Sequence, residues 1–163
     1  RKGEILPMTS GRVDVGRTAI GQGLLLVTPL QMATVAQTIG NGGVRMEPRL
    51  VKQVVDPDGR PTEEPLPKQA QRVMSTDAAA KLTAMMKQVV KEGTGTAAAL
   101  QGVELAGKTG TAEIDIGAGV NDLWFIGFTP QVAVAVVLDH VQGGQGGTVA
   151  APVAKRVLQA LGQ

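Results

Sequence analysis

Two strand-like runs near the end of the chain, "LWFIGFT" at 123–129 and "VAVAVVLD" at 132–139, are separated only by Pro130-Gln131. Two residues can close a β-hairpin, whereas parallel strands need a crossover of roughly a dozen residues or more. The joint therefore makes the two runs antiparallel neighbours and forbids a helix between them. A third strand candidate, Val103 to Glu113, precedes them, so a three-strand meander is expected, followed by a helix that closes the chain. The valine run itself reads as a strand buried on both faces.

Helices are marked by their caps and their periodicity. Thr28-Pro29 supplies an N-cap and a first-turn proline, and Met32, Val35, Ala36 and Ile39 follow at helical spacing until "GNGG" at 40–43 stops the pattern. Ser75 caps a second helix with Asp77 in its first turn, Leu82, Met85, Met86 and Val89 on one face, and Gly93 at its end. The Met85 and Met86 pair reads as core filler. Thr148 is the expected cap of the last helix, whose apolar face holds Ala150, Val153, Ala154, Val157, Leu158 and Leu161. Between the first two helices, Pro48 to Asp56 favours a strand, Asp56-Pro57-Asp58-Gly59 has the order of a type I turn, and the stretch to Lys68 reads as surface loop. Residues 1–23, with Arg12, Asp14, Arg17 and several glycines, read as a lead-in loop. The element order is an α+β pattern: an antiparallel sheet packed with helices.

Composition excludes several kinds of function. With 43% hydrophobic and 18% charged residues, the 163 residues can form one ordinary domain with a real core. The only aromatic residues are Trp124, Phe125 and Phe128, so base-stacking platforms are nearly absent, and a formal charge of +2 with scattered Lys and Arg gives no nucleic-acid footprint. There is no cysteine, and His140 is the single histidine, which argues against a thiolate nucleophile and against a metal centre; no cofactor is expected. The longest apolar run, Val132 to Leu138, is far short of a membrane span. Arg1 in place of Met suggests a piece excised from something longer.

"GVELAGKTGTAE" at 102–113 is the chemically informative stretch, and it carries two overlapping patterns. Gly102 to Thr109 spells G-x-x-x-x-G-K-T, a formal phosphate loop, while Lys108 to Thr111 spells K-T-G-T. A phosphate loop must leave a strand through a glycine-rich bend into a helix, so that free N–H groups and the helix dipole face the phosphates. Here Val-Glu-Leu-Ala fills the loop and Gly-Thr-Ala-Glu-Ile follows it, which suits a strand and disfavours a helix. "VAVAVVLD" imitates the magnesium-holding strand of such NTPases, but its hairpin neighbour does not. Asp139 and His140 could suggest a catalytic pair, yet adjacent strand residues point to opposite faces, so a solvated strand end is the expectation.

As a strand, 103–113 presents Lys108, Thr109 and Thr111 at a cleft, with Gly110 leaving its backbone open to close approach. A compact cation and two hydroxyl donors suit a small carboxylate, and a strand N–H can aim at a carbonyl oxygen under attack. Four residues alone leave an exposed strand with an ordinary surface lysine as an equal reading.

Five motifs in order shift that balance: "GQGLLLVTPLQMATVAQTIGNGG" at 21–43, "EGTGTAA" at 92–98, "AGKTGTAE" at 106–113, "WFIGFTP" at 124–130 and "GGQGGTVAAPVAKRVL" at 143–158. Together they resemble the C-terminal half of the transpeptidase domain of high-molecular-weight, class B type penicillin-binding proteins. The resemblance implies a partial penicillin-binding and serine β-lactamase-like fold, extracytoplasmic location through a membrane anchor outside these residues, and cross-linking of peptidoglycan stem peptides by a serine acyl-enzyme that β-lactams trap. It assigns Lys108 to polarisation and proton relay, Thr109, Gly110 and Thr111 to holding the substrate or β-lactam carboxylate, and the Thr111 backbone N–H to the oxyanion. The S-x-x-K nucleophile motif is absent, since Ser10 is followed three residues later by Val13 and Ser75 by Ala78, and S-x-N is absent too. The resemblance places both upstream. The chain alone is then expected to be inactive, and to associate with its missing half or with itself through the Val132 to Asp139 edge. The alternatives are a P-loop nucleotide-binding module and a non-catalytic interaction domain that borrows the fold.

Overall fold

A computed structural model describes Gly11 and residues 13–163; Arg1, Ser10 and Arg12 lie outside the described residues. The lead-in is not all loop. Asp14 accepts the Arg17 N–H at 3.0 Å and caps a short helix, α1 (Val15–Ala19). Thr28 and Gln31 form a reciprocal capping box at the start of α2 (Pro29–Gly40), as the Thr-Pro signal predicts. The buried face of α2 is Ala36, Thr38 and Ile39, with Val35 exposed. Burial of Thr38 is compatible with its polarity because its hydroxyl donates to the Thr34 carbonyl at 2.7 Å.

Two small antiparallel ribbons follow. β1 (Val44–Met46) pairs with β4 (Gln69–Arg72), and β2 (Val54–Val55) pairs with β3 (Pro61–Glu63). The strand expected at 48–56 thus shrinks to Val54–Val55. With no sheet to cover it, Leu50 and Val51 stay exposed, so the β-propensity of the valines has no burial to act on. The Asp56 turn forms as read: its carboxylate accepts the N–H groups of Asp58 and Arg60 at 2.9 and 2.8 Å.

α3 (Thr76–Glu92) starts at Ser75, whose hydroxyl accepts the Ala78 N–H at 3.1 Å. It buries Ala79, Met86 and Val90. Met85 is exposed, so only one member of the methionine pair fills the core. After a 3₁₀ turn at Thr96–Ala98 come β5 (Ala106–Asp115), β6 (Val120–Phe128) and β7 (Ala133–Gln142), hydrogen-bonded in the order β5-β6-β7 and antiparallel throughout. This is the meander that the two-residue joint dictates. It also removes the nucleotide reading, because Gly107 to Thr111 continue as strand opposite Gly127 to Leu123 and lead into β6 rather than into a helix. The last helix, α4 (Ala150–Ala160), buries Ala150, Ala151, Ala154 and Leu158; Val157 and Leu161 are exposed. Thr148 does not cap it. Its hydroxyl donates to the Gln145 carbonyl at 3.1 Å, and the cap residue is Val149, with no side-chain bond.

Helices cover both faces of the sheet. On one, α4 packs with Phe125, Val134 and Val90; on the other, α2 packs with Phe128, Ala106 and Met86. β7 is not buried on both faces along its length as its valines suggest: among its residues only Val134 is fully buried, most others are half-buried, and Asp139, His140 and Gln142 are exposed. An edge strand covered by helices over its first half gives that gradation.

Phe125 fixes the centre. Its ring is fully buried and lies over the cross-strand pair Gly107 and Gly127. A Cβ at Gly127 would meet the Phe125 ring at 3.0 Å and the Ala106 carbonyl oxygen at 2.8 Å, and one at Gly107 would overlap the same ring. Glycine is required there by space alone. Phe125→Ala should therefore lower stability by about 3–5 kcal/mol, and Gly127→Val should be destabilising by at least roughly 1–3 kcal/mol through overpacking; urea unfolding followed by circular dichroism measures both, and near-neutral effects would contradict this packing.

Candidate active site

The outward edge of β5 is the first strand edge of the sheet, and the backbone alternation decides what it displays. In an antiparallel pair each residue turns its N–H and C=O the same way, and successive residues alternate between partner and open side. The Thr111 carbonyl and the Glu113 N–H both meet the Gln22 side chain, so residues 109, 111 and 113 face outward and 108, 110 and 112 face β6. The Thr111 N–H is therefore directed to the open edge. Lys108 reaches the same edge by its side chain: Nζ donates to the Thr109 carbonyl at 2.7 Å.

Side chains alternate between sheet faces. Thr109 and Thr111 lie on the Phe125 face, opposite Phe125 and Leu123 in the register, and Lys108 and Gly110 on the other. Both threonine hydroxyls are held. Thr94 and Thr109 Oγ1 are 2.7 Å apart in a hydrogen bond, and the Gly146 N–H donates to Thr111 Oγ1 at 3.3 Å. A hydroxyl that accepts one bond keeps its proton to donate, so Thr111 retains a donor for an incoming oxygen. Lys108, Thr111 and Glu113 are exposed, while Thr109 and Gly110 are half-buried.

Gly146 and Gly147 explain the "GGQGG" bend. A Cβ on Gly146 would overlap the backbone carbonyls of Gly110 and Trp124, and one on Gly147 would overlap the Thr94 carbonyl. The loop before α4 lies directly on the backbone of β5 and β6, clamping the K-T-G-T segment from the Phe125 face. The sequence marks this stretch only as a glycine-rich bend. Its signal was the glycine spacing, but glycine alone does not say what approaches it.

Ser75 sits at the α3 N-terminus with its hydroxyl engaged in the cap, and is not beside Lys108 in the hydrogen-bond network. Asp139 and His140 do meet, contrary to strand alternation: His140 Nδ1 lies 2.8 Å from an Asp139 carboxylate oxygen. His140 has φ of 52°, a left-handed conformation that turns its side chain back, and its N–H donates to Asp122 Oδ1 at 2.8 Å. The hydrogen bond to Asp139 raises the His140 pKa above its ordinary value, and that bond in turn holds the Asp139 carboxyl below its own. Both side chains are more than half exposed, which keeps this pair a solvated strand end.

The three-strand antiparallel sheet thus has α4 on one face, α2 on the other, and an edge strand that carries K-T-G-T. Residues 3–159 match the penicillin-binding protein transpeptidase domain, and the chain belongs to that family. It is 39% identical over 154 residues to penicillin-binding protein PbpB of Mycolicibacterium smegmatis, covering 82% of this chain and 24% of the relative. With the peptidoglycan D,D-transpeptidase PbpA of Mycobacterium tuberculosis it shares 38% identity over 157 residues, 90% of this chain and 31% of that protein. The structure of M. tuberculosis penicillin-binding protein A as its penicillin G acyl-enzyme complex superimposes with a TM-score of 0.77 at 37% identity, covering 91% of this chain and 35% of that one. The chain thus spans about a third or less of the length of the proteins it resembles.

Gly146→Ala should destabilise the domain by about 1–3 kcal/mol and loosen β5, seen as faster amide exchange at Gly110 and Thr111; unchanged exchange would mean that the loop does not clamp the strand.

Proposed function

We propose that residues 1–163 are the C-terminal part of one D,D-transpeptidase domain, supplying its substrate-holding strand and closing helix, while the nucleophile and its S-x-N partner come from sequence outside them. The observation that carries this reading is the composition of the β5 edge: the Lys108 ammonium and the Thr111 N–H reach one side of one strand. The reaction is acyl transfer. A serine hydroxyl attacks the carbonyl of a terminal D-alanine peptide bond, D-alanine leaves with the proton on its amine, and an amine of a neighbouring stem peptide then displaces the serine. A β-lactam presents a similar carbonyl and stays attached.

Each residue has a part. The Thr111 N–H lies where a backbone donor can stabilise the oxyanion, the second donor being the nucleophile's own N–H. Thr109 and Thr111 hydroxyls hold the carboxylate of the substrate or antibiotic, and Gly110 lets it approach the backbone. Lys108 supports the proton relay through the S-x-N serine. Its partner in the free site, the Thr109 carbonyl, is neutral, so exchanging it for an incoming polar group gives up no ion pair.

The partners follow from the same reading. The substrate is a peptidoglycan stem peptide, met on the outer side of the cytoplasmic membrane, where an anchor outside these residues would hold the enzyme. Leu24, Leu25 and Leu26 are exposed on the segment leading into α2 and Leu30 in its first turn, and the rest of the domain would cover this surface. In its absence, self-association through the β7 edge is the competing outcome.

In the full-length protein containing this chain, fluorescent penicillin should label a serine. Lys108→Ala should slow acylation roughly 10²–10⁴-fold through loss of the proton relay, and Thr109→Ala roughly 10–100-fold through loss of a hydrogen bond to a charged group. Absence of labelling in a folded parent, or wild-type rates in the Lys108 variant, would overturn the assignment.

A further inference from the structure

The open edge of β5 is already occupied at one point. Gln22, in the loop after α1, places its side-chain amide across two successive outward-facing groups: Nε2 donates to the Thr111 carbonyl at 3.1 Å and Oε1 accepts the Glu113 N–H at 3.2 Å. One amide that donates to residue 111 and accepts from residue 113 satisfies the groups that an adjacent strand would take. Its orientation is fixed by its partners, a carbonyl on one side and an N–H on the other.

The loop is shaped for this. Gly21 and Gly23 have φ of 81° and 85°, conformations that favour glycine, and they turn the chain so that Gln22 leans back on β5. The Gln22 N–H donates to the Arg17 carbonyl at 2.8 Å, and the Arg17 guanidinium lies 3.9 Å from the Glu113 carboxylate. The contact is thus tethered at its backbone and flanked by an ion pair to the same strand. Gln22 is itself half-buried.

From this geometry we infer that Gln22 is a positioning residue that holds the Thr111 carbonyl until a ligand with its own amide N–H displaces it, and so biases the site against ligands that depend on that hydrogen bond. The inference rests on the transpeptidase reading of the edge. The Thr111 carbonyl belongs to the same residue whose N–H faces the reacting carbonyl, so an acyl donor lying along β5 with an amide N–H beyond its reactive carbonyl meets this carbonyl next. Gln22 competes for it. A ligand with no amide N–H at that point does not need the carbonyl and leaves Gln22 in place.

The test compares two β-lactams on the full-length protein. Penicillin G carries an acylamino N–H beside its ring, and imipenem carries a hydroxyethyl group there. Gln22→Ala should raise the ratio of acylation rates, penicillin G over imipenem, by about two- to ten-fold, the range expected for removing one competing hydrogen bond. Gln22→Glu keeps the length and can still accept the Glu113 N–H but cannot donate to Thr111, so it should raise the ratio similarly. If Gln22 were only structural, both rates would fall together and the ratio would stay constant; an unchanged or lowered ratio in both variants overturns the inference. Failure of the wild-type protein to react with either compound would instead overturn the transpeptidase reading, so the two failures are distinct.

Discussion

The Phe125 ring lying on Gly107 and Gly127 is the contact on which the rest of the structure depends. It joins β5 to β6 through van der Waals contact on a pair of residues that have no side chains, and Val90 of α3 completes the cover. Because two glycine backbones sit under one ring, β5 is held close to the core at Gly107, one residue before Lys108. β5 therefore leaves the core directly at the K-T-G-T segment. Precision at Thr111 follows from burial four positions earlier, and from the Gly146 loop that presses the same strand from the Phe125 face.

A strand anchored on one side and open on the other has a chemical consequence. Its outward N–H and C=O groups are unpaired by sheet, and such an edge invites another extended chain. In this molecule the invitation is restricted to a few groups. The Lys108 ammonium takes the Thr109 carbonyl and the Gln22 amide takes the Thr111 carbonyl and the Glu113 N–H, leaving the Thr111 N–H between them. The oxyanion donor of the proposed reaction is thus flanked by side chains that can be exchanged for ligand groups. In the proposed reaction, edge protection and substrate recognition use the same atoms.

Much of the fold is legible locally. Pro130-Gln131 dictates the hairpin, Thr28 with Gln31 and Ser75 dictate two helix starts, and Asp56 dictates a turn, because each acts within about four residues. Features that depend on distant neighbours are not readable. Val51 has strand propensity but nothing to pair with, and His140 escapes strand alternation through a left-handed backbone whose N–H bonds Asp122, 18 residues back; Thr148 is the local exception, with a cap residue's chemistry spent on Gln145 three residues before it. K-T-G-T was recognisable as letters and as chemistry. The groups that hold it, Gln22 at a separation of 89 residues and Gly146 at 35, were visible only as a glutamine between glycines and a glycine-rich bend.

In the proposed function this chain holds the ligand while a serine outside residues 1–163 forms the bond. Mass spectrometry of the full-length protein after reaction with penicillin G, with the modified peptide sequenced, tests it most directly. A penicilloyl group is expected on the serine of an S-x-x-K motif outside these residues. Attachment to Ser75 or Ser10, or a folded full-length protein that carries no adduct, would contradict it.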